Sequence, residues 1–314
     1  MVLQALEELA APDFAAATSP EGQAWLAALP SLLNDLAGRW SLTVTDELFR
    51  HGYNAIVVSV RQDHRALALK LTWPVARAGG EAAALTAWRA RGAVELVNAD
   101  IPHGALLLER LDAARSLASM PVAEAAAIAG ALIRTLAIEA PRSFPSVQST
   151  ARELAATFRS RQQALHDPVP GEWIALAASL AAALARDSER SLVHTDLHYD
   201  NVLASGRPDQ PWLVIDPKAA AGTPARSAAE LLWTRVDELP GPQAITGLLD
   251  TIIENGQLHQ AKTTAWAFVR SVDYWLWALE QGLTIDPVRC QRVASALAPV
   301  AGLSCSAARR SLCT

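Results

Sequence analysis

Apolar residues Trp25, Leu26, Leu29, Leu32, Leu33 and Leu36 return at helical spacing, with Ser19 placed to cap and Pro20 at the first turn. This pattern predicts a helix within the first forty residues. Between residues 41 and 71 the texture turns β-like, with runs at 42–45, 55–60 and, after a polar turn at 62–64, 66–71. These read as a meander of three short strands. Gly79 and Gly80 precede a helical stretch over 81–91 that ends at Gly92, and two more strand-like runs follow at 93–97 and 105–111. Beyond Asp112 the pattern becomes that of long Ala- and Leu-rich helices: 122–140, 151–165 behind a Thr150-x-x-Glu153 capping box, and 172–186. One island interrupts them, where β-prone Leu192-Val193 and residues 212–216 flank a loop dense in His and Asp. The last stretch, 301–314, loses the helical pattern and reads as a frayed end.

Composition narrows the classes. The 314 residues are 51% apolar, enough for a sizeable core and far from the balance of a disordered chain. A net charge of -5 has the wrong sign for gripping a phosphate backbone, so no nucleic-acid partner is expected, and it mildly favours a cationic small molecule. Cys290, Cys305 and Cys313 are odd in number and lack C-x-x-C spacing, which argues against a disulfide framework or structural zinc. Glu7 and Glu8 sit where a secretory signal wants basic residues, and the apolar run at 173–185 is too short to span a bilayer. A soluble cytoplasmic protein with no membrane partner is the expectation. Only Lys70, Lys218 and Lys262 are lysines among 27 basic residues, so each retained lysine asks for a reason.

No P-loop, G-x-G, H-E-x-x-H or G-x-S-x-G is present. The sharpest segment is His194-Thr-Asp196-Leu-His198-Tyr-Asp200-Asn201, with Asp216 following 15 residues after Asn201. Asp196 and Asn201 have the Asp-x-x-x-x-Asn spacing of a kinase catalytic loop, in which the Asp takes the acceptor hydroxyl proton and the Asn holds Mg2+. Asp216 stands where a second metal-binding carboxylate belongs. Two other readings stay open for the loop alone: turn-forming hydrogen bonds by Asp196, Asp200 and Asn201, or an iron triad of His194, Asp196 and His198. The kinase reading also demands a strand Lys and a helix Glu upstream. Lys70, near the end of the third strand, and Glu81, opening the next helix 11 residues on, supply both.

With these residues in view, the chain resembles the aminoglycoside phosphotransferase family, in its streptomycin and hydroxyurea branch. The resemblance rests on residues 21–30, 66–71, 105–111, 192–203, 212–218 and 273–277. It implies an α+β, protein-kinase-like two-lobed fold. A small antiparallel sheet with one key helix would occupy 1–110, and a mainly helical lobe with catalytic loop and acceptor site 111–314. It implies ATP and Mg2+, with Asp196 as base, Asn201 and Asp216 on the metal, Lys70 on the phosphates and Glu81 orienting Lys70. Gly52, Tyr53 and Asn54 would cover the nucleotide, and backbone groups from Glu109 to Leu111 would hold the adenine. The partner implied is a small hydroxyl acceptor, first a cationic aminoglycoside such as streptomycin, with hydroxyurea or another hydroxyl metabolite as the alternative. Candidates to bind it are Asp200, Glu230, Trp233, Asp237, Glu238, Asp273, Trp275, Trp277 and Glu280. Where relatives carry Gly-Asp-Pro and a further Asp, this chain reads Gly222-Thr-Pro-Ala-Arg-Ser227, so anchoring of the loop or binding of the acceptor is expected to differ there. Binding of nucleotide without turnover is the reading from another class.

Overall fold

In the computed structural model, which describes residues 14–51 and 54–311, the chain divides at Asp112/Ala113 into two units, each with its own contacts. Unit one opens with helix α1 (Pro20–Arg39), capped by Ser19, whose hydroxyl accepts from the Gly22 N–H. An antiparallel sheet follows, built from β1 (Thr43–His51), β2 (Ala55–Gln62), β3 (Arg65–Thr72), β4 (Leu96–Asp100) and β5 (Ala105–Glu109) in the order β1-β2-β3-β5-β4. Strand period decides which residue faces what. Leu67, Leu69 and Leu71 of β3 join Ile56, Val58 and Val60 of β2 in one buried layer with Trp25, Leu29, Leu33 and Leu36 of α1. Lys70 therefore points from the opposite face of the central strand, where helix α2 (Ala76–Trp88) brings Glu81.

Two expectations shift here. Helix α2 begins at Ala76, not at Glu81, and carries Gly79 and Gly80 inside it. An interior glycine costs a helix about 1 kcal/mol, and burial of Ala78, Glu81, Ala82, Leu85 and Trp88 on one face outweighs that cost. The strand expected at 93–97 is displaced to β4, because the chain leaves α2 through left-handed Arg89, Ala90 and Gly92 before pairing can start.

Unit two begins within β6 (Asp112–Ser116), which joins β8 (Val202–Ala204) and β9 (Trp212–Val214) in one small sheet. Its helices are α3 (Val122–Leu136), α4 (Val147–Ala164), α5 (Gly171–Leu184), α6 (Ala229–Trp233), α7 (Pro242–Gly256), α8 (Gln260–Glu280) and α9 (Ile285–Ser311). None of the described helices is long and apolar enough to cross a membrane. Strand β7 (Ser191–His194) pairs with β10 (Ala219–Gly222) rather than with β9. The two β-prone segments of the sequence island thus belong to different sheets, with the polar loop crossing between them.

Three helix ends differ from expectation, each for a tertiary reason. Helix α3 stops at Leu136 because the next residues pair with the strand ahead of the loop: Leu192 N–H donates to Ile138 O and Ala140 N–H to Arg190 O. Helix α4 starts a turn before the proposed Thr150 box, capped by Ser146, whose hydroxyl accepts from Ser149 N–H, with Val147 buried. Val147 packs so closely on Gly222 that a Cβ there would lie 2.0 Å from it, which is why a glycine ends β10. Residues 301–311 continue α9 rather than fraying, since extending a formed helix needs no new nucleus and Ala, Leu and Arg propagate it well.

Candidate active site

In unit one the Lys70 ammonium donates to both Glu81 oxygens, at 2.9 and 2.7 Å, and the two side chains are 7% and 5% exposed. Backbone pairing fixes the lysine from both sides, Lys70 lying opposite Val57 on β2 and Leu106 on β5. Two charges this deeply buried persist only as a hydrogen-bonded pair. Asn54 lies next to β2 and its carbonyl accepts from Trp73 N–H, while Gly52 and Tyr53 lie outside the described residues. Glu109 closes β5 and its carboxylate accepts from Glu95 N–H; Leu111 is buried just beyond, in the short non-strand step before β6.

In unit two, the loop after β7 is held by hydrogen bonds from both its backbone and its side chains. The Thr195 N–H and hydroxyl both donate to Lys218 O at 2.8 Å, the Asn201 amide donates to Asp196 O at 3.1 Å, and Ile215 N–H donates to Asn201 O. His194 is fully buried, its Nδ1 accepting from Asp196 N–H and its Nε2 meeting Ile215 O. Both ring nitrogens are thus committed to backbone, and this overturns the iron-triad reading of His194, Asp196 and His198. Burial holds the His194 imidazole neutral, its pKa lowered to about 4. Asp196 keeps a third of its side chain exposed and meets the Lys218 ammonium at 2.6 Å. Burial would raise its carboxyl; the lysine, by hydrogen bond and charge, outweighs that and holds it below the ordinary aspartate range. Asn201 is buried beside it, and Asp216 sits exposed in the left-handed region at φ 51°, where the chain turns from β9 towards β10.

Asp196 opens into a cavity of about 640 Å3 lined entirely by unit-two residues. Asp196, Asp200, Glu230, Asp273 and Asp286 set five carboxylates against the cations Lys218, Arg270 and Arg289. One wall is a run of stacked rings, Trp233 on Tyr274 and Tyr274 on Trp277, each pair 5.1 Å apart. Of the expected acceptor residues, Asp200, Glu230, Trp233, Asp273 and Trp277 come together here. The others do not. Asp237 bonds Arg289 and Arg292, Glu238 pairs with Arg235, Glu280 with Arg161, and Trp275 packs edge-on against Trp173. Tyr274, Asp286, Arg270 and Lys218 were not singled out for the cavity from sequence. Tyr274 and Trp277 lie one helical turn apart on α8, which was the available signal.

Glu230 and Asp273 are not free carboxylates. Arg226 donates to one Glu230 oxygen at 2.8 Å, Arg270 bonds the other and also Asp273, and Arg161 holds Asp273 and Glu280. Three guanidinium groups thus alternate with three carboxylates in one chain of ion pairs, buried at Arg226 and Glu230 and partly exposed at Glu280. Its far end reaches the loop: Arg226 also donates to Thr195 O, one residue ahead of Asp196. Within Gly222–Ser227, the buried Arg226 thus anchors the loop.

Among solved structures, an aminoglycoside phosphotransferase APH(4)-Ia in complex with ADP and hygromycin B aligns with 90% of this chain and 98% of its own. The TM-score is 0.57 at 17% identity, a likeness that establishes the fold, the protein-kinase-like one of small-molecule phosphotransferases. Sequence carries the assignment further. The model of the family described as aminoglycoside/hydroxyurea antibiotic resistance kinase matches residues 39–282, and the chain belongs to that family. It is 34% identical over 290 residues to the streptomycin 6-kinase of Streptomyces glaucescens, covering 90% of this chain and 94% of that one. To the hydroxyurea phosphotransferase of Kitasatospora aureofaciens it is 35% identical over 286 residues, covering 90% and 82%.

Proposed function

We propose that the protein transfers the γ-phosphoryl group of ATP to a hydroxyl of a cationic aminoglycoside, with the 6-hydroxyl of streptomycin as the acceptor. The observation that carries this is the cavity over Asp196. Its size suits a molecule of several rings, its wall of stacked aromatic rings suits guanidinium groups, and Asp200 adds an exposed carboxylate that no arginine or lysine among the described residues neutralises. Hydroxyurea, with five heavy atoms, would leave most of it empty.

In this reading Asp196 orients the acceptor hydroxyl and takes its proton as the oxygen attacks phosphorus. Lys70, oriented by Glu81, holds the nucleotide phosphates. Gly52, Tyr53 and Asn54 cover them, and backbone groups of Glu109 to Leu111 hold the adenine. Asn201 and Asp216 would hold Mg2+: both offer hard oxygen donors, and since Asn201 spends its amide N–H on Asp196 O, Oδ1 is the atom it would offer. Bound there, the metal would supply neutralisation of phosphate charge. Asp200, at the rim of the cavity, is held below its ordinary pKa first by the His198 ring, 3.6 Å away, and stays charged for a cationic ligand.

The test is ATP consumption by purified protein with Mg2+, with streptomycin, with hydroxyurea and without acceptor, followed by mass spectrometry of the products. A phosphorylated streptomycin is the expected product. Phosphorylated hydroxyurea alone would replace the acceptor, and ATP binding with no transfer to either would overturn the reading.

A further inference from the structure

Lys218 is one of three lysines in a chain that otherwise uses arginine, and each lysine makes an ion pair: Lys70 with Glu81, Lys262 with Asp187 and Glu189, Lys218 with Asp196. The first is deeply buried and orders its unit. The Lys218 side chain is 58% exposed and lines the cavity, so it adds little to packing. Its placement is nevertheless fixed. Two hydrogen bonds from Thr195 clamp its carbonyl where β7 meets β10, and the left-handed turn at Asp216 sets the approach of the segment. The chain thus delivers an ammonium group onto Asp196 Oδ2 at 2.6 Å, on the wall of the cavity.

We propose that Lys218 is a further catalytic residue, whose ammonium bridges Asp196 and the phosphoryl group in flight. The inference rests on the phosphoryl-transfer reading above. A carboxylate that takes the hydroxyl proton must lie within about 3 Å of the attacking oxygen, and that oxygen lies about 3–3.5 Å from the phosphorus it attacks. An ammonium in contact with the same carboxylate is one hydrogen bond from the oxygens on which charge accumulates. It has three donors, of which Asp196 takes one. In the transfer the acceptor O–H bond breaks and its proton goes to Asp196. The new O–P bond forms as the bond to the ADP oxygen breaks, and Lys218 keeps all its protons throughout. An ammonium is a compact point charge on a flexible stem, whereas a guanidinium spreads its charge over a rigid planar fork, and that difference gives the lysine its reason in an arginine-rich chain.

The test compares wild type with Lys218→Ala, Lys218→Met and Lys218→Arg. Expected for Ala and Met is a 100- to 1,000-fold loss of kcat, with the KM of ATP and of streptomycin within about threefold of wild type. Arginine should recover less than a tenth of the rate, and added ethylammonium should restore Lys218→Ala in a saturable way. A binding measurement needs no turnover and no acceptor: with Mg2+ and aluminium fluoride, which mimics the phosphoryl group in transfer, ADP should bind wild type at least tenfold more tightly than ADP alone. The Ala and Met variants should lose that gain while keeping their affinity for ADP. A kcat within threefold of wild type, or an intact fluoride gain in both variants, overturns the proposal. Should wild type phosphorylate no tested acceptor, the functional reading fails, and the fluoride measurement still decides Lys218.

Discussion

Glu230→Gln separates two roles for a residue that sequence alone placed among acceptor ligands. The carboxylate is 4% exposed, with Arg226 on one oxygen at 2.8 Å and Arg270 on the other at 3.2 Å. At an effective dielectric of 20 and a charge separation near 4 Å, each pair contributes about 4 kcal/mol of attraction. The substitution removes both and leaves two arginines facing a neutral amide. Relief from burying the carboxylate offsets part of the loss, so the net destabilisation is about 3–5 kcal/mol, as when one partner of a buried pair is removed. The guanidinium groups cannot escape by losing a proton. For a unit of this size about 3 kcal/mol lowers Tm by roughly 6–12 °C. Because Arg226 also holds Thr195 O, the Asp196 loop loosens with it, and kcat falls about tenfold or more while the KM of streptomycin stays within twofold. The assay is thermal unfolding beside steady-state kinetics. An unchanged Tm with a tenfold rise in the acceptor KM would show that Glu230 faces the ligand and would refute the argument.

Asp196→Asn should keep ATP affinity and lose 100- to 10,000-fold in kcat, since the carboxylate acts on the acceptor; isothermal titration and kinetics check this, and full turnover would discard Asp196 as the base. Trp277 is 41% exposed at the end of the aromatic wall, so Trp277→Ala should leave Tm within about 2 °C and raise the acceptor KM about five- to tenfold, for about 1 kcal/mol of lost cation–π contact. His194, neutral in the fold down to about pH 4, gives a pH dependence of stability. The unfolded imidazole takes up a proton below about pH 6.5 and the folded one does not, so its contribution is complete above that pH and erodes as pH falls towards 4, by about 2 kcal/mol between pH 7.5 and 5. Urea unfolding at the two pH values should show a flatter dependence for His194→Gln; equal slopes would exclude His194 as the cause.

The local pattern of the sequence determined the elements and the order of the chemistry. Strand alternation placed the leucines of β3 on one face and Lys70 on the other, and helical spacing placed Glu81 within reach. The Asp-x-x-x-x-Asn loop and the Asp that follows were legible because their spacing within one loop is itself the geometry. What lay beyond reach came from contacts distant in the chain. The start of α2 at Ala76 and the ends of α3 and α4 were settled by burial and by pairing with residues around 190 and 221, which no local propensity encodes. Glu230 and Asp273 looked like ligands from composition, but arginines 40 and 112 residues away from them had already claimed their charge. Lys218 looked like a rare residue in a motif; only the pairing of β7 with β10 put it on Asp196. Local spacing fixes which groups one segment presents, whereas the tertiary fold decides which of those groups are already neutralised and which remain to do chemistry.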